Sequence, residues 1–184
     1  MAMIDEGGML RVMKDAYKAT GYIVINDAGT VTIRTGVWMT QMPFRVLPRK
    51  VLALLVEHIG TIPEDEEAFR CSKGEGAQTL VFEIEQESTQ KAETYFGEAM
   101  PIVKETQLVF KNCRIWQAQE TMQVIAINPD YMRIISRKDM GAAALNAEKY
   151  LLLIEDEDGS RVVIAGVSLQ EAERAYIEGF PWVM

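Results

Sequence analysis

Apolar and polar positions alternate most persistently between Thr106 and Arg137. The pattern predicts strands over 107–110, 114–118, 122–127 and 131–136. Lys111-Asn112, Gln119-Glu120 and Asn128-Pro129-Asp130 break the runs, the last a strong turn signal. Ile125 and Ile127 fall on one side of their strand, and Met122, Val124 and Ala126 on the other. Strands joined this tightly must run antiparallel, because a parallel return needs a crossover of about a dozen residues. A meander apolar on both sides must be covered by helices or by another chain.

Upstream, Leu10, Met13, Ala16, Tyr17 and Thr20 form one stripe of a helix over 9–20, closed by Gly21. A hairpin over 22–34 turns at Asp27-Ala28-Gly29. A three-residue loop with glycine left-handed sets Ile25 opposite Val31 and Ile23 opposite Ile33. A short strand over 37–41 follows. The helix over 48–59 starts with Pro48 at its first position and stops at Gly60. Its apolar residues Val51, Leu52, Leu54, Leu55, Val56 and Ile59 cover over half the circumference, so it should lie centrally across the sheet. The acidic, glycine-broken segment 61–76 (61–77 with the residue after it) reads as a long loop and a place where the domain could subdivide. Leu80, Phe82 and Ile84 alternate with Glu83 and Glu85 as a strand over 78–85. From 87 to 104 the pattern is ambiguous: Ser88 could cap a short helix through Tyr95, with Pro101 breaking any continuation, and a strand over 94–96 fits almost as well.

Downstream, the alanine-rich 138–148 reads as a loop or helical turn. A second hairpin, 150–165, turns at Asp158-Gly159, where a two-residue type I′ turn pairs Asp156 with Arg161 and Ile154 with Val163. Its 151–154 strand is apolar on both faces. Ser168-Leu169-Gln170-Glu171 has the form of a capping box, opening a helix that Gly179 ends. The fold expected is a single α+β domain: a mostly antiparallel sheet of two hairpins and a central meander, with about three helices on its covered face.

Charge narrows the partners. Nineteen basic against 27 acidic residues leave a net −8, which disfavours nucleic acid and anionic membrane, and the short cluster Arg45, Arg49, Lys50 does not offset it. No run reaches the roughly 20 apolar residues of a membrane span, and Asp5 and Glu6 stand where a signal peptide carries bases. A cytoplasmic location is expected. Cys71 and Cys113 with the single His58 cannot build a tetrahedral zinc site. Glu155-Asp156-Glu157-Asp158-Gly159 puts Ile154 where a calcium loop needs its first oxygen ligand. Lys73-Gly74-Glu75-Gly76 lacks the spacing of a phosphate loop. No metal or cofactor is expected.

His58 in a last helical turn reads as a structural histidine bonding free carbonyls, with Cys71 the nearest nucleophile. No motif names a reaction, and the chain reads as a protein-interaction or self-assembly domain. Tryptophan, methionine and phenylalanine are enriched in interfaces, so Trp38, Met39, Met42, Phe44, Phe180 and Trp182 are the binding candidates, with a homodimer or another protein as partner. The competing readings are a small-molecule site or enzyme, with converging charges in a pocket near Trp38 or Trp116, and an acidic inhibitor protein.

Overall fold

The computed structural model describes residues 3–97, 99–136 and 142–182. Among these, eleven strands form one sheet, and four α-helices cover it, an α+β architecture. The strands are β1 (Tyr22–Asp27), β2 (Thr30–Arg34), β3 (Trp38–Pro43), β4 (Glu67–Ser72), β5 (Gly76–Thr79) and β6 (Ile102–Phe110). They continue with β7 (Cys113–Ala118), β8 (Val124–Ile127), β9 (Ala143–Asn146), β10 (Leu151–Glu155) and β11 (Arg161–Ala165). Their order across the sheet is β5-β4-β1-β2-β3-β11-β10-β9-β6-β7-β8, and every pair is antiparallel. The sheet does not lie open. Val167, just beyond β11, donates its N–H to the Ala126 carbonyl at 2.8 Å, so β8 returns against the end of β11 and that half curls on itself.

Alternation along each strand divides the apolar residues between two sides. Val24, Ile33, Met42, Ile164, Leu152, Leu145, Trp116 and Ile125 share one continuous core on the concave side. Helices α1 (Glu6–Lys18) and α2 (Arg49–Ile59) fill it with Met9, Val12 and Met13, and with Val51, Leu54 and Leu55. The convex side carries two smaller clusters. Met39, Leu153 and Val163 lie under α3 (Phe82–Glu93) and the turn after it. Cys113, Ile115, Val124 and Ala126 lie under α4 (Glu171–Glu178) with Leu169 and Ile177. Helices therefore sit on both sides, four rather than three, and the doubly apolar strands are buried within one chain.

Both hairpin registers differ from expectation by one residue. Ala28 (φ 49°) and Gly29 (φ 77°) are both left-handed, a two-residue loop that pairs Ile25 with Thr32 and Val24 with Ile33. Tyr22 and Val24 thereby join Val31 and Ile33 in the core, while Ile25 is buried on the opposite face. The acidic loop holds this turn in place. The Asp65 carboxylate accepts the Ala28 N–H at 2.6 Å, and Asn26 Nδ2 donates to the Pro63 carbonyl at 2.9 Å. The segment expected to be wholly loop contains β4, whose pairing with β1 continues the sheet. In the second hairpin, Asp158 accepts the Ser160 N–H at 2.7 Å, and the loop widens so that Glu155 rather than Asp156 faces Arg161.

Three further elements change identity. The strand expected over 78–85 stops at Thr79, because α3 brings Glu85 onto Arg34, Gln86 onto Asp27 and Glu93 onto Gln41. The alanine-rich stretch supplies β9, since small side chains fit between β10 and β6; residues 138–141 of it lie outside the described residues. Residues 131–134 form a 3-10 turn, leaving only Ile135 to bridge Ile4. There Asp5 caps α1, and Gly8 lies so close to the Arg133 carbonyl that a Cβ would overlap it. The cap of α4 falls two residues late, with Glu173 accepting the Gln170 N–H at 2.9 Å, because the Val167 bond to β8 and buried Leu169 keep the preceding residues extended. Pro48 stands at the N-cap of α2, one position before the first helical residue, and Val56 on that helix remains exposed.

Two measurements check this packing. Leu55→Ala should lower unfolding free energy by about 2–5 kcal/mol in denaturant titration, the range for buried leucine truncations. Ala28→Gly should raise it by about 1 kcal/mol, because glycine enters the left-handed region without a Cβ penalty; a three-residue loop with Ala28 right-handed would give a loss instead.

Candidate functional site

The six binding candidates separate by depth. Trp38 (3% exposed), Met39 and Met42 are buried within the single chain, Trp38 and Met42 in the main core and Met39 under α3. Phe44 (36% exposed) is on the surface. Phe180 (51% exposed) and Trp182 (37%) are on the surface, and Tyr176 of α4 joins them at 68%. Phe180 meets Tyr176 edge-on at 5.8 Å between ring centroids, and Trp182 at 6.0 Å. Val183 and Met184 lie outside the described residues.

The backbone that carries two of these exposed rings, Phe180 and Trp182, is tethered. Gln117, buried in β7, donates to the Phe180 carbonyl at 2.8 Å and accepts the Trp182 N–H at 2.7 Å. The Trp182 indole donates to the Ile177 carbonyl at 2.8 Å, folding the ring back onto α4. One buried amide thus clamps the backbone on either side of Pro181. Tyr176 was missed in the sequence, although its spacing of four from Phe180 is visible there. The role of Gln117 is not visible, because it depends on a contact across more than sixty residues.

Around the turn from β2 to β3, three grooves meet. Thr35 Oγ1 accepts the N–H groups of Val37 and Trp38, both at 3.2 Å, and holds this turn. The groove against α1, about 250 Å³, has Arg11, Asp15, Asp130 and Arg133 around Trp38, with Arg133 paired to Asp130 at 2.9 Å. The other two share Arg34 and run beneath α3 and along β1. Charges therefore converge on a space beside Trp38. Trp116 lines none of these grooves and is buried in the core, its indole nitrogen without a partner among the described residues.

His58 bonds a phenol rather than free carbonyls. Its Nδ1 lies 2.9 Å from the Tyr22 hydroxyl, and its ring stacks on Tyr17 at 3.7 Å. Burial holds the imidazole below its ordinary value, helped by Lys14 and opposed by Glu57. Burial pushes the Tyr22 phenol far up, with the nearby Cys71 adding to the effect. With both neutral, the phenol donates and the ring proton sits on Nε2. Cys71 is fully buried, donates to the Tyr22 carbonyl at 3.8 Å, and is pushed up by burial. A buried thiol of raised pKa is a poor nucleophile. Glu83 and Glu85, expected side by side on a strand, lie instead in the first turn of α3, with Glu85 on Arg34.

No helix among the described residues is long and apolar enough to cross a membrane. Compared with protein families, curated proteins and solved structures, the chain matches none.

The His58–Tyr22 contact sets a pH dependence. In the unfolded chain the histidine returns to about 6.5 while the folded value lies lower, so its contribution is complete above about 6.5. It is lost as pH falls from there through the depressed folded value. Denaturation midpoints of the native protein should fall across that window, and those of His58→Phe should fall less; equal falls would separate the histidine from stability.

Proposed function

We propose that this chain is a non-enzymatic assembly module that pairs with a second copy of itself through the face of Tyr176, Phe180 and Trp182. The observation that carries the reading is three contiguous exposed rings, with the backbone of Phe180 and Trp182 pinned by Gln117 and the Trp182 indole bonded to Ile177. Ordering a flexible segment at a contact costs free energy, and a backbone already tethered avoids part of that cost. Aromatic anchors dominate binding energy at interfaces, and two-fold dimers are the commonest closed assembly. Trp38, Met39 and Met42 take no part, since the single chain buries them.

Like charges oppose the pairing, with −8 on each chain. Added salt screens that repulsion, so a dimer held by apolar rings tightens as salt rises. Light scattering coupled to size exclusion, at high micromolar concentration, should give a dimer mass that strengthens with salt. Phe180→Ala with Trp182→Ala should raise the dissociation constant roughly tenfold to hundredfold, as truncation of interface anchors does, with the circular dichroism spectrum unchanged. A monomeric mass for the intact chain would overturn the reading.

A further inference from the structure

The two grooves that share Arg34 run against the charge of the molecule. One, about 340 Å³, lies between α3 and the convex face of β3, β10 and β11; the other, about 360 Å³, follows β1 and the turn from β2 to β3. Among the described residues their linings carry Arg34, Arg70 and Lys149 and no carboxylate, in a chain where acids outnumber bases 27 to 19.

The three cations are unevenly satisfied. Glu85 pairs with one terminal nitrogen of Arg34, and the buried Nε has no partner among the described residues. Among the described residues the Arg70 side chain donates only to the Thr20 carbonyl, at 3.3 Å. Lys149 meets no carboxylate among the described residues. Beside them the floor under α3 is apolar, formed by Met39, Leu151 and Val163, with the Tyr95 ring at its margin. The combination of an apolar bed and adjoining cations, of which only Arg34 is paired with a carboxylate among the described residues, selects a ligand by both properties at once.

From this we infer that the groove beneath α3 binds a small amphipathic anion, its apolar or aromatic body on Met39, Leu151 and Val163 and its acidic head toward Arg34 and the neighbouring cations. A carboxylate and a phosphate monoester share this chemistry. The inference is independent of self-assembly, because it uses another face of the molecule.

Anilinonaphthalene sulfonate, an aromatic anion that brightens in apolar surroundings, tests it against phenylnaphthylamine, which has the same rings without the charge. The sulfonate should bind the intact protein at least tenfold more tightly than the neutral dye, and less tightly as salt rises. Arg34→Gln removes the pair with Glu85 and can loosen α3, so a second variant, Lys149→Gln with Arg70→Gln, carries the test on exposed side chains. It should weaken the sulfonate about tenfold and leave the neutral dye unchanged. Phe180→Ala with Trp182→Ala should leave the sulfonate bound as before, which separates this site from the aromatic face. Displacement by phenyl phosphate alone identifies a phosphate head, and displacement by benzoate as well identifies a general anion site. Equal affinity for the two dyes, indifference to the double glutamine variant, or failure of both competitors would each overturn the inference.

Discussion

Strands apolar on both faces have to be covered twice, and nearly every feature of this molecule answers that requirement. The concave side is closed by curling the sheet around α1 and α2, with the bond between Val167 and Ala126 drawing β8 back to the end of β11. The convex side is closed in two patches, by α3 and by α4. A flat sheet of this composition would leave one side in water, at roughly 25 cal/mol for each Å² of apolar surface exposed.

The two convex helices are held differently. Helix α4 buries Ile177 among the apolar residues of β7 and β8. Helix α3 buries only Thr89 completely, and polar ties to Arg34, Gln41 and Asp27 position it. Such ties bear on geometry more than on stability, since partly exposed ion pairs contribute little free energy. That leaves a groove under α3 with cations at its border, where a helix with a wide apolar stripe would have filled the space.

A similar division separates the proposed contact surface from the core. Gln117 uses both ends of its amide on the backbone of Phe180 and Trp182, so the segment that carries these rings is tethered at the surface. The same residues on a free tail would gain little by association, because ordering them would offset much of the contact energy.

Local chemistry made much of the fold legible. Alternation found β7, β8, β10 and β11, helical spacing found α1 and α2, and Gly60 and Gly179 marked where helices stop. Both hairpins were readable as hairpins, and antiparallel pairing followed from their short connections. The net −8 and the absence of metal and nucleotide motifs were properties of the chain itself. Tertiary structure decided what depends on distant partners. Asp65 and Asn26 hold the first turn in a register that moves Val24 rather than Ile23 into the core. Arg34, Asp27 and Gln41 turn an apparent strand into α3, and the space between β10 and β6 makes a strand of alanines. Trp38 and Met42 went inward while Phe180 and Trp182 stayed outside, although their composition alone did not distinguish them. Periodicity records which residues share a face, whereas which face is covered, and in what register, depends on contacts between residues far apart in the chain.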